Sequence, residues 1–436
     1  MLRVILIRHG ESTFNVAQRV QGRGATTNES VLTDLGKQQA ELTGKALASL
    51  HFTGALVSPL ERAQQTARAI LSHQTHPPAL QINSNLLEID LRSWEGKTFS
   101  DIKATYPEQY EHWHHSPYQL CIDGFYPVRE LFQQAEQFWR EFHSQYVDGT
   151  ILITAHSGIN RALICTALGI DLHHYHHLKQ SNCGINVLNY RGSSWQLESM
   201  NITSHLGSGL PSLKDQHQGF RILLVRHGET EWNRQKRFQG QMDIPLNETG
   251  KQQAEKTGQF LQQTKIDLAW SSPLSRAKTT AEIILTHHLQ AELHCLDEFR
   301  EIKHGLWEGK LEREVQADYA QALADWQTRP ETVQMPAGEN LPEVWERAQA
   351  GWKKVLQQTP TGKVALVSAH DAINKAILCN LFGLSPAYFW VFKQGNGGVT
   401  VIDYPQGSTG SPYLQALNIT SHLSGSVLDV TAAGAL

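Results

Sequence analysis

The sequence motifs of the first half of this chain recur in the same order in the second half, and that duplication limits the fold more than any local pattern does. Arg8-His9-Gly10-Glu11-Ser12 follows the apolar run 4–7, and Arg226-His227-Gly228-Glu229-Thr230 follows the apolar run 222–225. Gly36-Lys37-Gln38-Gln39-Ala40 recurs unchanged from Gly250 to Ala254, and Ser58-Pro59-Leu60 with Arg62-Ala63 recurs as Ser272-Pro273-Leu274 with Arg276-Ala277. Glu88-Ile89 with Trp94-Glu95-Gly96 returns as Glu301-Ile302 with Trp307-Glu308-Gly309, and Ala155-His156 returns as Ala369-His370. Each half closes on the same hexapeptide, which begins at Asn201 and again at Asn418. A repeat of about 210 residues is too long for a solenoid unit and suits a whole domain. The boundaries read as domain 1 over 1–206, a Gly-, Pro- and Ser-containing linker over 207–219, and domain 2 over 220–436. The first half carries about four extra residues in the 24–31 loop.

Within each repeat, strands alternate with helices. In the first, strands are expected at the Arg-His run, 55–57, 150–154, 183–190 and 194–200. Helices are expected over 34–49, from the Ser58-Pro59 turn to about 71, over 128–146 and over 158–168. This alternation predicts an α/β fold: two tandem domains, each a mostly parallel sheet with helices on both faces.

Composition narrows the function classes. The 436 residues carry a net charge of −4, which disfavours nucleic acid and anionic membrane as partners. Five scattered cysteines without a C-x-x-C spacing argue against a disulfide framework or structural zinc and fit a cytoplasmic protein. Neither a signal peptide nor a membrane-length apolar run is visible, so the sequons at Asn201 and Asn418 are read as unmodified.

The chemistry lies where strands end. His9 and His156 each follow an apolar strand, and parallel strands bring their C-terminal ends to one edge. Arg62 falls in the first turn of a helix leaving that edge, where the helix dipole favours an anion. His227, Arg276 and His370 repeat the arrangement. Arginine forks match phosphate oxygens, one histidine can attack phosphorus, the other can stabilise the transferring group, and a carboxylic acid must serve the leaving oxygen. Glu88 and Glu301 are the candidate acids, 26 and 25 residues after their arginines. The cations make a metal unnecessary, and no cofactor is called for.

These ordered motifs resemble the histidine phosphatase superfamily, the phosphoglycerate mutase-like fold, over nearly the whole chain. The resemblance implies that His9 and His227 are phosphorylated nucleophiles. Arg8, Arg62 and His156 would complete one phosphate pocket, and Arg226, Arg276 and His370 the other. Glu88 and Glu301 would be proton donors, and Asn15 and Asn233 would contact the transferring phosphate. Family mutases carry a longer stretch between acid and second histidine, with an Arg-Arg-Ser motif. Here the intervals are 68 and 69 residues and that motif is absent, which favours hydrolysis. The tandem arrangement is similar to duplicated members that include metal-independent phosphoserine phosphatases. A small phosphorylated metabolite, phosphoserine first, is therefore the expected substrate. The alternatives are a phosphoglycerate mutase, a fructose-2,6-bisphosphatase-like enzyme, or one catalytic half with a ligand-binding or dimerising half. Family members often form dimers, so a homodimer is compatible.

The halves diverge around these motifs. The second has Gly338-Glu339-Asn340 upstream of Arg347, where the first has Asp123-Gly124-Phe125-Tyr126, and Arg92 stands where the second has Gly305. Arg92, Glu339 and Asn340 are thus specificity candidates, and specificity is further expected to rest in the segments 104–128 and 318–341. Arg92 could bind a substrate carboxylate or simply accommodate its backbone. Trp94, Trp307, His205 and His422 read as packing residues. The histidine clusters 112–115 and 173–177 read as solvated surface, with no metal site assigned. Arg19, Arg23, Arg234 and Arg237 are either a solvated face or an aid to substrate admission.

Overall fold

The structure, a computed structural model, describes residues 1–23, 30–207, 209–213 and 218–432. The extra residues of the 24–31 loop and the central part of the expected linker therefore lie largely outside the described residues. The chain divides into two compact units, Met1–Ser208 and Gly209–Leu436.

The first unit carries six described strands: β1 (Leu2–Arg8), β2 (Gly54–Val57), β3 (Leu80–Ile82), β4 (Gly149–Ala155), β5 (Ile185–Arg191) and β6 (Ser194–Ile202). They stand in the order β3-β2-β4-β1-β5-β6. The first four run parallel, whereas β5 and β6 are antiparallel to their neighbours. The helices are α1 (Thr13–Val16), α2 (Asp34–Leu47), α3 (Glu61–Leu71), α4 (Phe99–Thr105), α5 (Pro107–His115), α6 (Pro127–Gln145) and α7 (Ser157–Leu168). The expected helix at Ser58-Pro59 begins only at Glu61, with Leu60 in extended backbone as its cap.

The second unit repeats this with β7 (Phe220–Arg226), β8 (Leu268–Ser271), β9 (Glu292–Cys295), β10 (Val364–Ala369), β11 (Val399–Tyr404) and β12 (Tyr413–Ile419). Its helices are α8 (Glu231–Gln235), α9 (Glu248–Leu261), α10 (Ser275–Leu285), α11 (Glu312–Thr328), α12 (Leu341–Gln358) and α13 (Asp371–Leu381). The central strands are apolar runs without alternation because both faces are covered: Val4 to Ile7 and Ile222 to Val225 are wholly buried. Trp94 and Trp307 are fully buried too, as packing residues should be.

Register brings the two histidines together. Arg8 pairs with Ala155 across β1 and β4, and Arg226 with Ala369 across β7 and β10, so each following histidine stands beside its counterpart. Two repeated glycines explain why distant motifs travel together. A Cβ on Gly10 would collide with the backbone oxygen of Gly36, and one on Gly36 with that of Glu11. Gly228 and Gly250 meet in the same way. The loop after the first histidine and the first turn of α2 or α9 are thus in backbone contact, which only glycine permits. His205 and His422 tie the closing hexapeptides to the same helices, through Thr43 Oγ1 and Thr257 Oγ1 at 3.0 Å. The sequon residues Asn201 and Asn418 are about 1% exposed and accept backbone N–H bonds from Ser181 and Gly395. Among the described residues no helix is long and apolar enough to cross a membrane.

Candidate active site

The first histidine of each unit has a defined tautomer. His9 Nδ1 lies 2.7 Å from the Gly10 carbonyl oxygen, and His227 Nδ1 lies 2.7 Å from that of Gly228. A carbonyl only accepts, so Nδ1 carries the proton and Nε2 keeps its lone pair. Burial and two neighbouring arginines hold both imidazoles well below the usual histidine pKa. They are therefore neutral near pH 7, as a nitrogen nucleophile requires.

The second histidine lies beside the first, with ring centroids 5.1 Å apart in both units. Burial, then Arg62 or Arg276, also keeps His156 and His370 well below the usual value. Ser58 Oγ lies 2.7 Å from His156 Nε2 and accepts from the Leu60 amide at 3.3 Å. The hydroxyl has a proton to give and a second lone pair to accept with, so this contact suits either neutral tautomer of the ring. His156 Nδ1 is buried without a partner, as are both ring nitrogens of His370.

Four arginines supply the positive charge. Arg8 Nη1 donates to Gln180 O at 2.8 Å and Arg226 Nη1 to Gln394 O at 2.6 Å. Arg62 Nη2 donates to Gly22 O at 3.0 Å and Arg276 Nη2 to Gly240 O at 2.7 Å. One edge of each guanidinium is thus fixed, while its Nε is buried and unpartnered. Burial pushes Arg8, Arg62 and Arg276 down to about 10. Such buried unpartnered donors are costly unless something accepts from them, and a tetrahedral oxyanion fits that need.

Asn15 and Asn233 stand at the same edge. Their Oδ1 atoms accept from the amides of Ser12 and Thr230 at 3.1 Å in capping boxes, which turns each side-chain NH2 away from the helix end. Asn182 and Asn396, which sequence reasoning missed, brace this corner by donating to the His9 and His227 carbonyls at 3.0 Å. Their signal was present: each precedes the β5 or β11 segment at a matching position in both repeats.

Glu88 and Glu301 lie at the start of the helix that follows the second histidine. Glu88 accepts from Gly158 N at 3.0 Å, Ile159 N at 3.1 Å and Ile89 N at 2.9 Å. Glu301 accepts from Ala372 N at 3.2 Å and Ile302 N at 3.0 Å. Burial, then Asp371, raises the Glu301 pKa above the ordinary carboxyl value.

The support behind these acids was not visible in the motifs. In the first unit Gln134 donates to the Asn85 and Leu87 carbonyls at 3.0 and 2.9 Å, and Arg23 donates to the Glu88 carbonyl at 2.8 Å. In the second, Arg347 donates to the carbonyls of Glu298, Arg300 and Glu301, and Gln241 donates to the Glu301 carbonyl at 3.0 Å. Arginine and glutamine have exchanged places. Glu339 belongs to this bracket: it pairs with Arg347 at 2.8 Å and accepts from Lys303 N. Asn340 caps α12. Both specificity candidates are thus engaged in holding structure.

Arg92 is exposed and stacks on Phe125 at 4.0 Å, with φ +45°; Gly305 has φ +59°. A Cβ at Gly305 would strike the Pro336 carbonyl oxygen, so the 335–339 loop closes down there in a way that Arg92 forbids. Arg19 and Arg237 clasp the Gly96 and Gly309 carbonyls at 2.5 and 2.6 Å, and Arg234 forms an exposed pair with Glu231. Among the described residues no group of three or more His, Cys, Asp or Glu is placed to hold a metal ion.

Two neutral histidines, paired arginines and a buried carboxyl stand at the C-terminal edge of a largely parallel sheet, and the set is repeated in tandem; its unpartnered donors suit a tetrahedral oxyanion. The chain belongs to the histidine phosphatase superfamily, branch 1, whose model matches residues 4–203 and 222–420. It is a phosphatase of two tandem domains. It is 30% identical to a 2-carboxy-D-arabinitol-1-phosphatase from Triticum aestivum, over 97% of this chain and 86% of the relative. It is 34% identical to phosphoserine phosphatase 1 from Hydrogenobacter thermophilus, over 47% of this chain and 94% of the relative. It is also 31% identical to a 2,3-bisphosphoglycerate-dependent phosphoglycerate mutase from Gloeobacter violaceus, over 38% of this chain and 77% of the relative.

Proposed function

We propose that both units hydrolyse small phosphomonoesters through a phosphohistidine, with phosphoserine and similarly carboxylated phosphometabolites as leading substrates. The observation that carries this reading is the Nδ1–H bond of His9 and His227 to the following glycine carbonyl, which leaves Nε2 bare beside two buried arginines. Nε2 attacks phosphorus in line as the P–O ester bond breaks, and protonated Glu88 or Glu301 gives its proton to the leaving oxygen. Water then attacks the phosphohistidine while the same carboxylate takes its proton, which releases phosphate and restores the imidazole. The arginines, the second histidine and Asn15 or Asn233 hold the equatorial oxygens throughout. In this scheme no metal is required. The names of the relatives support the substrate class, since phosphoserine and 2-carboxyarabinitol 1-phosphate each join a phosphomonoester to a carboxylate.

The test is phosphate release in EDTA from phosphoserine, 3-phosphoglycerate and fructose 2,6-bisphosphate, with the wild type, His9→Ala, His227→Ala and the double variant. Release by the wild type that is lost in the double variant is expected. Loss of wild-type release in EDTA would overturn the metal-free mechanism, and isomerisation without release would establish a mutase instead. If one single variant keeps full turnover, the mutated unit is a binding or dimerising module.

A further inference from the structure

The units differ in charge at two matching positions on the helix after the second histidine. Ser157 and Arg161 of α7 correspond to Asp371 and Lys375 of α13. In the second unit, buried Asp371 takes Lys375 Nζ at 2.6 Å and lies 3.7 Å from Arg226 Nη1. The ammonium also sits over the rings of Phe389 and Trp390 at 4.6 and 4.5 Å. The cation of this helix is enclosed.

In the first unit Ser157 offers no carboxylate. The Arg161 guanidinium lies over Tyr175 at 5.5 Å, with its Nε buried and unpartnered. A Cβ on Gly158 would stand 2.7 Å from the Tyr175 hydroxyl and against Glu88 Oε1, so Arg161, Tyr175 and the candidate acid form one wall. Arg161 is also close enough to Arg8 to act on it as a like charge. Glu95 near Arg62, and Asp243 and Glu308 near Arg276, offset part of the charge in both sites. The difference between the sites is that the helix cation of the first, Arg161, has no matching acid at Ser157, whereas Lys375 of the second is paired with Asp371. The first site is thereby the more positive and the better suited to a phosphomonoester that carries a further carboxylate.

We propose that Arg161, beside Arg8, forms a carboxylate subsite in the first unit. That unit then prefers phosphomonoesters that carry a carboxylate, and the second, whose matching cation is bound by Asp371, draws no advantage from the carboxylate. This assigns substrate classes to the two sites and rests on the phosphatase reading above.

Phosphoserine and phosphoethanolamine share phosphate and amine and differ by the carboxylate. In the full-length His227→Ala protein, kcat/KM should favour phosphoserine by about tenfold or more, the scale of one charge-assisted contact. In His9→Ala the ratio should be near one or below. Arg161→Met should collapse the first ratio, Arg161→Lys should keep part of it, and Asp371→Ser should raise the second. Equal ratios in the two single-site proteins, or an unchanged ratio in Arg161→Met, would overturn the subsite. Hydrolysis of neither substrate by His227→Ala would instead refute catalysis by the first unit. Calorimetric binding of the two compounds then decides the subsite: tighter phosphoserine binding that Arg161→Met removes upholds it, and equal binding overturns it.

Discussion

Arg23 Nη2 donates to Gln134 Oε1 at 2.5 Å, which joins a loop residue and a helix residue behind the Glu88 carbonyl. The second unit supports its acid with the same two residue types in exchanged positions, Gln241 in the loop and Arg347 in the helix. The arrangement needs one fork-shaped donor and one amide, whichever element supplies each.

Arg347→Gln should therefore displace the acid rather than weaken phosphate binding. Measured in the His9→Ala protein, kcat should fall by about tenfold with a smaller change in KM, since small misplacements act on the transition state. Adding Gln241→Arg should restore part of the loss. A fall confined to KM would show that Arg347 acts on substrate binding instead.

Asp371 raises the Glu301 pKa by like-charge repulsion, second only to burial. A general acid works while protonated, so activity in His9→Ala should fall as pH rises through that pKa. Asp371→Ser should move this basic limb to lower pH. A pH–rate profile of both proteins checks the direction.

His304 is wholly buried between Phe238 and Trp326, both ring nitrogens lack partners, and burial lowers its pKa to about 3. The folded ring stays neutral between about pH 3 and 6.5, while the unfolded chain takes up a proton there. Stability is therefore present above pH 6.5 and is lost as pH falls towards 3, by about 1.4 kcal/mol per unit from this residue. The matching residue of the first unit is Leu91. His304→Leu should raise stability at pH 5 more than at pH 8, as urea melts would report.

Gly10→Ala should place a methyl against the Gly36 carbonyl, where no flexible side chain can yield. About 1–3 kcal/mol of destabilisation is expected from such overpacking. Turnover by the first unit, read in the His227→Ala protein, should fall because the collision begins one residue after the nucleophile. An unchanged rate would show that the α2 turn can retreat.

Much of this was legible in the residues. Duplication exposed the domains, and the Arg-His strand ends exposed the histidines, because strand register converts sequence position directly into proximity. Arg62 was readable from its place at a helix start, although that helix begins at Glu61, beyond the Ser58-Pro59 turn. The Arg23–Gln134 bracket was not readable, since an exchange of residue types between halves defeats a search for identical motifs. Glu339 and Asn340 are specificity candidates in the sequence because the halves diverge there; their bonds to Arg347 and the α12 amide, which no motif discloses, set them in the framework.

The unpartnered Nε donors of Arg8, Arg62, Arg226 and Arg276 have a consequence for regulation. They are satisfied by inorganic phosphate as readily as by an ester, because neither distinguishes the organic group. If these donors hold the phosphoryl group as proposed, the end product competes for the resting enzyme, and turnover is coupled to the ambient phosphate concentration without a separate effector site.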